Sequence, residues 1–248
     1  MHDLIIKGGT VIDGTGKPGY TADIAIDDGL ISDVGNEVGA GRRTIDADGA
    51  LVLPGWVDIH THYDGQVLWD PYLTPSSWHG VTTAVFGNCG VGFAPVRPGS
   101  EDYLINLMEG VEDIPGAALA EGIEWNWETF PEYLDALEKM PRVMDIAAQV
   151  PHGSVRAYVM GERGARNEDP TADDLSAMAQ IVQEGIEAGA LGFTSSRTML
   201  HRALDGEPVP GTFAGAEEII AMGRAVAEAG GGVIAVSYTH LRAHATEA

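Results

Sequence analysis

From residue 51 onward the chain alternates short apolar runs with stretches of helical period, a rhythm that restricts the fold to parallel strands joined by helical crossovers. Strands are expected near 51–59, 81–87, 145–150 with a continuation over 155–160, 190–195 and 232–237. Between them, FPEYLDALEKM sets Phe130, Tyr133, Leu134 and Leu137 on one helical face, with Pro131 suited to a first turn. Thr171 is the expected cap of a second helix, with Leu175, Met178, Val182 and Ile186 as its buried stripe and Gly189 as its stop. A third helix, over about 215–229, carries Ile219, Ile220, Met222 and Val226. These stripes are core and carry no function.

Upstream, residues 3–7, 10–13, 22–26 and 30–34 are short, β-branched and separated by Gly and Asp turns. That spacing predicts a small antiparallel β module over 1–50.

The junction between the two regions, LVLPGWVDIHTHYD at 51–64, carries the first candidate chemistry. Alternate side chains of an extended strand share a face, so His60 and His62 project together while Thr61 turns away. Neutral imidazole ligates zinc and similar ions, and an apolar strand buried on both faces would support the pair rigidly. The other reading is that both histidines are core or surface residues satisfied by hydrogen bonds. Asp64 either steadies a ligand histidine or ends the strand.

Composition narrows the partners. Formal net charge is -23, with 37 acidic against 14 basic residues, which argues against nucleic acid or an anionic membrane surface. No apolar run approaches the ~18 residues of a membrane span. The single cysteine, Cys89, excludes an intramolecular disulfide framework and fits a reducing compartment. With no signal-like start in MHDLIIKGGTVIDG, a cytoplasmic location is expected. Oligomeric state is not legible.

Several motifs resemble one family. PGWVDIHTHYD resembles the first metal-binding strand of the amidohydrolase superfamily. GVTTAVFGNCGVGFAP at 80–95, LMEGVEDIPG at 107–116 and WNWETFPEYLDALE at 125–138 resemble its N-acyl-D-amino-acid deacylase (D-aminoacylase) branch. The match runs to about residue 236. It implies an α/β fold, a (β/α)8 TIM barrel preceded by a small β module, with functional groups at the C-terminal ends of the strands. It implies one or two Zn2+ ions, or another divalent metal, held by His60, His62 and Cys89. It also implies hydrolysis of a non-peptide C–N bond by metal-bound hydroxide, with an N-acyl-D-amino acid or related small amide as substrate. The carboxylated lysine that bridges two metals in many amidohydrolases has no counterpart. The lysines are Lys7, Lys17 and Lys139, and TSSR occupies 194–197 after strand four.

Five strands do not close an eight-stranded barrel, which takes ~250 residues by itself. The segment 51–235 is therefore expected to be part of a barrel, in a C-terminally truncated fragment. The aspartate that serves as proton shuttle after strand eight in the superfamily falls beyond it. The catalytic residue is thus unknown, and little or no turnover is expected of the chain alone. The last stretch, VSYTHLRAHATEA at 236–248, changes composition abruptly and resembles translated sequencing adapter, so it is set apart as a non-native tail. In the competing reading, His240 supplies the strand-five metal ligand.

Arg197 and His201, in SSRTMLHR, lie where a cationic clamp could meet a substrate carboxylate, although surface ion pairing explains either equally well. His152 is expected to make a structural hydrogen bond, Cys89 is otherwise a buried inert thiol, and Glu109, Trp125 and Trp127 either shape a pocket or pack. Three other functions compete. A cyclic-amide hydrolase of the dihydropyrimidinase or hydantoinase kind is opposed by the missing lysine. A non-catalytic barrel fragment would hold no metal. A phosphate loop built on Gly87, Gly90 and Gly92 fails the dinucleotide-binding glycine spacing.

Overall fold

In the computed structural model, residues 1–237 are described. They divide into two compact units that meet in sequence at Trp56 and Val57. The first is a five-stranded sheet of β1 (His2–Val11), β2 (Tyr20–Asp27), β3 (Leu30–Gly35), β4 (Gly41–Asp46) and β5 (Leu51–Val52). Its β1–β2 and β2–β3 pairs are antiparallel, as the short turns require, but β4 and β5 both run parallel to β1. The expected all-antiparallel module is thus a mixed sheet. The two runs at 3–7 and 10–13 are one strand, because Gly8 at φ 68° carries the chain through an irregularity rather than a turn. Ile5, Val11, Ala22, Ile24, Ala25 and Val38 bury the inner positions.

The second unit is built on a sheet whose strands follow chain order: β6 (Trp56–Asp58), β7 (Val81–Phe86), β8 (Asp145–Pro151), β9 (Gly192–Ser196) and β10 (Val233–Ser237). The pairs β7–β8, β8–β9 and β9–β10 are parallel. Their register aligns Phe86 with Ala148, Pro151 with Thr194 and Ser196 with Ser237, so the C-terminal ends lie side by side. The expected first strand over 51–59 is split by Pro54 and Gly55. Leu51–Val52 pairs with β1, and only Trp56–Asp58 enters the parallel sheet. Nor is it buried on both faces. Trp56 and Val57 are each 59% exposed and Ile59 74%, because β6 ends the sheet and has one neighbour among the described residues.

The crossovers contain α1 (Glu101–Glu112), α2 (Gly116–Gly122), α3 (Phe130–Glu138), α4 (His152–Met160), α5 (Glu162–Ala165), α6 (Ala172–Glu187) and α7 (Ala216–Glu228). The continuation of strand three over 155–160 is instead α4, which starts directly after Pro151. The expected cap at Thr171 forms, and so does an unexpected one at Thr129. Thr129 and Glu132 close a capping box on α3, and Thr171 and Asp174 do so on α6. Met178, Val182 and Ile186 of α6 are buried against the sheet, as are Phe130, Tyr133 and Leu137 of α3. On α7, Met222 and Val226 face inward but Ile220 is 51% exposed. Burial of each large apolar side chain contributes about 1.5–3 kcal/mol. No helix among the described residues is long and apolar enough to cross a membrane.

Candidate metal centre

The NCG turn after β7 is where the backbone is most constrained. Gly87, Cys89 and Gly90 all adopt left-handed conformations, at φ 80°, 56° and 71°. A Cβ on Gly87 would lie 2.2 Å from the Gln149 carbonyl oxygen, so the turn presses directly on β8. A Cβ on Gly90 would meet Ser195 Cα at 3.2 Å, so the other end presses on β9. Only glycine meets both demands, which explains the residues flanking Cys89. Asn88 locks the turn further: its Nδ2 donates to Thr61 O at 3.2 Å and Val85 O at 3.0 Å, and its Oδ1 accepts from Gln149 Nε2 at 3.0 Å.

That turn brings Cys89 to the histidines. His60 Nε2 lies 3.3 Å from Cys89 Sγ, and the His60 and His62 rings are 5.5 Å apart. Ligand atoms of His60, His62 and Cys89 all lie within 4.8 Å of one another. Cys89, Glu112 and His201 form a second such group. A cavity of about 360 Å³ opens between His60, Cys89, Glu112, His201 and the end of β10. The structure therefore brings together the three expected ligands and adds two residues.

Electrostatics here are set by burial. Desolvation lowers His62 to about 3, helped by the charges of His60 and His201, so its imidazole is neutral and in its ligating form. Its Nε2 lies 3.1 Å from Glu112 Oε1, and its buried Nδ1 has no hydrogen-bond partner among the described residues. With a neutral imidazole, the Glu112 contact is a hydrogen bond rather than an ion pair. Burial pushes the Cys89 thiol up to about 12 against the hydrogen bond that Ser237 Oγ donates to its sulfur at 3.2 Å. Glu112 rises to about 7 for the same reason, while a hydrogen bond with Cys89 pulls the other way. Asp64, 2% exposed and with Oδ2 unpartnered, is raised by burial to about 8. A buried thiol, an exposed imidazole and a largely buried one whose Nδ1 is orphaned suit a divalent cation of zinc type, whose binding would deprotonate the thiol.

The remaining expected residues separate. His201 joins the cluster and its Nδ1 lies 3.1 Å from Ser196 Oγ. Arg197 Nη1 donates to Ala214 O at 2.8 Å, and its backbone N–H donates to Ser237 O at 3.2 Å. Trp125 and Trp127 pack in a run of rings from Phe93 to Tyr133, and Trp127 Nε1 donates to Phe93 O at 2.9 Å. Glu109 packs against Gly116. His152 makes the structural bonds expected of it: Nδ1 to Ser195 Oγ at 2.9 Å and Nε2 to Glu218 Oε1 at 2.8 Å. Arg156 Nη1 donates to the same Glu218 oxygen at 2.5 Å. His240 lies outside the described residues. Sequence reasoning missed Glu112, although it stands within the LMEGVEDIPG motif, because a carboxylate at the end of a helix has no spacing that marks it.

A D-aminoacylase of Alcaligenes xylosoxydans xylosoxydans is 33% identical over 241 residues, covering 97% of this chain and 44% of the relative. A solved D-aminoacylase studied for the role of its binuclear metal centre matches with a TM-score of 0.78 at 33% identity, over 100% of this chain and 48% of that one. An N-acyl-D-glutamate deacylase from Bordetella bronchiseptica, solved with zinc and a phosphonate inhibitor, matches with a TM-score of 0.71 at 32% identity, over 95% and 44%. The chain thus spans about half the length of these relatives. Its parallel sheet, with α-helices in every crossover after β7 and a separate N-terminal module, is that of a partial TIM barrel. The family model described as amidohydrolase family matches residues 43–247, and the chain belongs to that family.

Proposed function

We propose that this chain carries part of the metal site of an enzyme that hydrolyses a non-peptide amide bond, with N-acyl-D-amino acids as its substrate class. The observation that carries the reading is the convergence of His60, His62 and Cys89 at the C-terminal ends of the parallel strands. These three residues would hold the ion, most simply zinc. A divalent cation there supplies polarisation of the amide carbonyl and a nucleophile at neutral pH. Glu112 orients His62 through Nε2, Ser237 holds the Cys89 sulfur, and the Asp64 carboxyl group accepts from the Gly87 backbone at the start of the cysteine turn rather than from a histidine. Arg197 and His201 are read as the residues that meet the substrate carboxylate, by charge and by hydrogen bonding. The likeness to D-aminoacylase and to N-acyl-D-glutamate deacylase supports that substrate class. TSSR at 194–197 leaves no lysine for the bridging role expected of a cyclic-amide hydrolase.

Metal content and ligand-induced stabilisation test this reading. The purified chain is expected to retain zinc on dialysis, Cys89→Ser and His62→Asn to lose it, and a phosphonate analogue of an N-acyl-D-amino acid to raise Tm only in the zinc-loaded wild type. Retention of zinc by both variants removes the site. Equal stabilisation by the L-enantiomer, or stabilisation by a hydantoin alone, removes the substrate class.

A further inference from the structure

We infer that Thr194 is the positioning residue that aims the Cys89 thiol, an inference that rests on reading Cys89 as a metal ligand. Thr194 lies in β9, completely buried, in register with Pro151 of β8 and Ala235 of β10. Its single hydroxyl engages both residues that bracket the cysteine turn. Oγ1 donates to the Gly87 carbonyl and accepts from the Gly90 N–H at 3.2 Å. A hydroxyl has one proton and two lone pairs, so one donated and one accepted bond use it fully in this direction.

The turn needs such a hold. Cys89 sits at φ 56°, ψ 13°, a left-handed conformation that a non-glycine residue keeps only when its surroundings impose it. Relaxation of Cys89 to an ordinary conformation would swing Sγ away from His60 Nε2, now 3.3 Å away. Asn88 ties the middle of the turn to Thr61 and Val85, while the packing of Gly87 on β8 and Gly90 on β9 sets how close the flanks lie. Thr194 pins them to β9, and as a β-branched residue it has a stiff χ1, so its hydroxyl is itself fixed. No lysine stands after strand four to reach a metal directly. In its place strand four acts one step removed, by holding the turn that presents the thiol.

Two readouts test the clamp, one without metal and one with it. In the metal-free chain, Thr194→Val is expected to speed alkylation of Cys89 by iodoacetamide several-fold, whereas Thr194→Ser, which keeps the hydroxyl, stays near wild type. With Co2+ as the probe, Thr194→Val is expected to weaken binding by about 10- to 100-fold and to shift or abolish the thiolate-to-cobalt charge-transfer band, with rescue in Thr194→Ser. Ser154→Ala is the comparator. It deletes another buried hydroxyl that bonds the same segment, at Gly92 O, 2.9 Å away, and should leave both readouts unchanged. Wild-type alkylation and cobalt spectra in a folded Thr194→Val overturn the inference, as does equal loss in Thr194→Ser or Ser154→Ala. If wild type shows no thiolate–cobalt band, the metal reading fails, while alkylation still decides the clamp. Should Thr194→Val not fold, hydrogen exchange on wild type decides. The Gly90 amide must be protected like the amides of β9, and fast exchange there ends the proposal.

Discussion

Buried polar residues in the second unit fall into two groups with different consequences. His152, Arg156 and Glu218 are at most 2% exposed and bond one another at 2.5–2.8 Å, with Ser195 joined to His152 at 2.9 Å. Removing the shared carboxylate leaves the Arg156 charge buried and unpaired, so Glu218→Gln is expected to cost about 3–5 kcal/mol in urea unfolding. Burial holds His152 below its ordinary range despite the pull of Glu218. The unfolded chain therefore binds a proton near pH 6.5 that the folded chain refuses. Stability is expected to fall as pH drops below about 6.5, by up to ~1.4 kcal/mol per pH unit for this one proton. His152→Gln should flatten the pH profile in that window. Each group leaves two buried polar atoms without a hydrogen-bond partner among the described residues, Arg156 Nε and Glu218 Oε2 in the first, Asp64 Oδ2 and His62 Nδ1 around Cys89.

Elements are held by devices that can be dissected one at a time. The capping box of α6 is expected to lose about 1 kcal/mol in Thr171→Ala. Hydrogen bonds from Arg163 and Thr171 hold Asp174 down to about 2, so that contribution is complete above about pH 4 and is lost as pH falls through 2. A chevron or urea series in that range reads the change directly. Further in, Met178 is fully buried between α6 and the sheet, and Met178→Ala should cost about 2–5 kcal/mol. The difference between these two costs separates what a helix owes to its own ends from what it owes to the core.

For the molecule as a whole, the net charge of -23 sets a background of self-repulsion that no single ion pair offsets. Adding sodium chloride to a low-salt buffer should therefore raise Tm, measured calorimetrically at pH 7.5, and a fall instead would show that the ion pairs outweigh the repulsion. The alternation of apolar and helical runs made the parallel sheet of the second unit legible, and β-branched runs between glycine turns did the same for most of the first. The parallel return of β4 and β5 onto β1 was not legible, because strand direction depends on where the chain comes back rather than on local pattern.

The sequence by itself determined the identities that chemistry needs: His60, His62 and Cys89 with their spacing, the capping residue Thr171, and the glycines around the thiol. Periodicity and residue type carry that information because they act over a few neighbouring positions. Tertiary structure alone decided that Glu112 and His201 join the cysteine, 23 and 112 residues away from it in the chain, as their numbers show. It also decided that Pro54 and Gly55 divide one apolar run between two sheets, and that Thr194 reaches back to hold the turn at Gly87. Such contacts follow from strand register and helix docking, which fix distances across the fold and leave no local period behind.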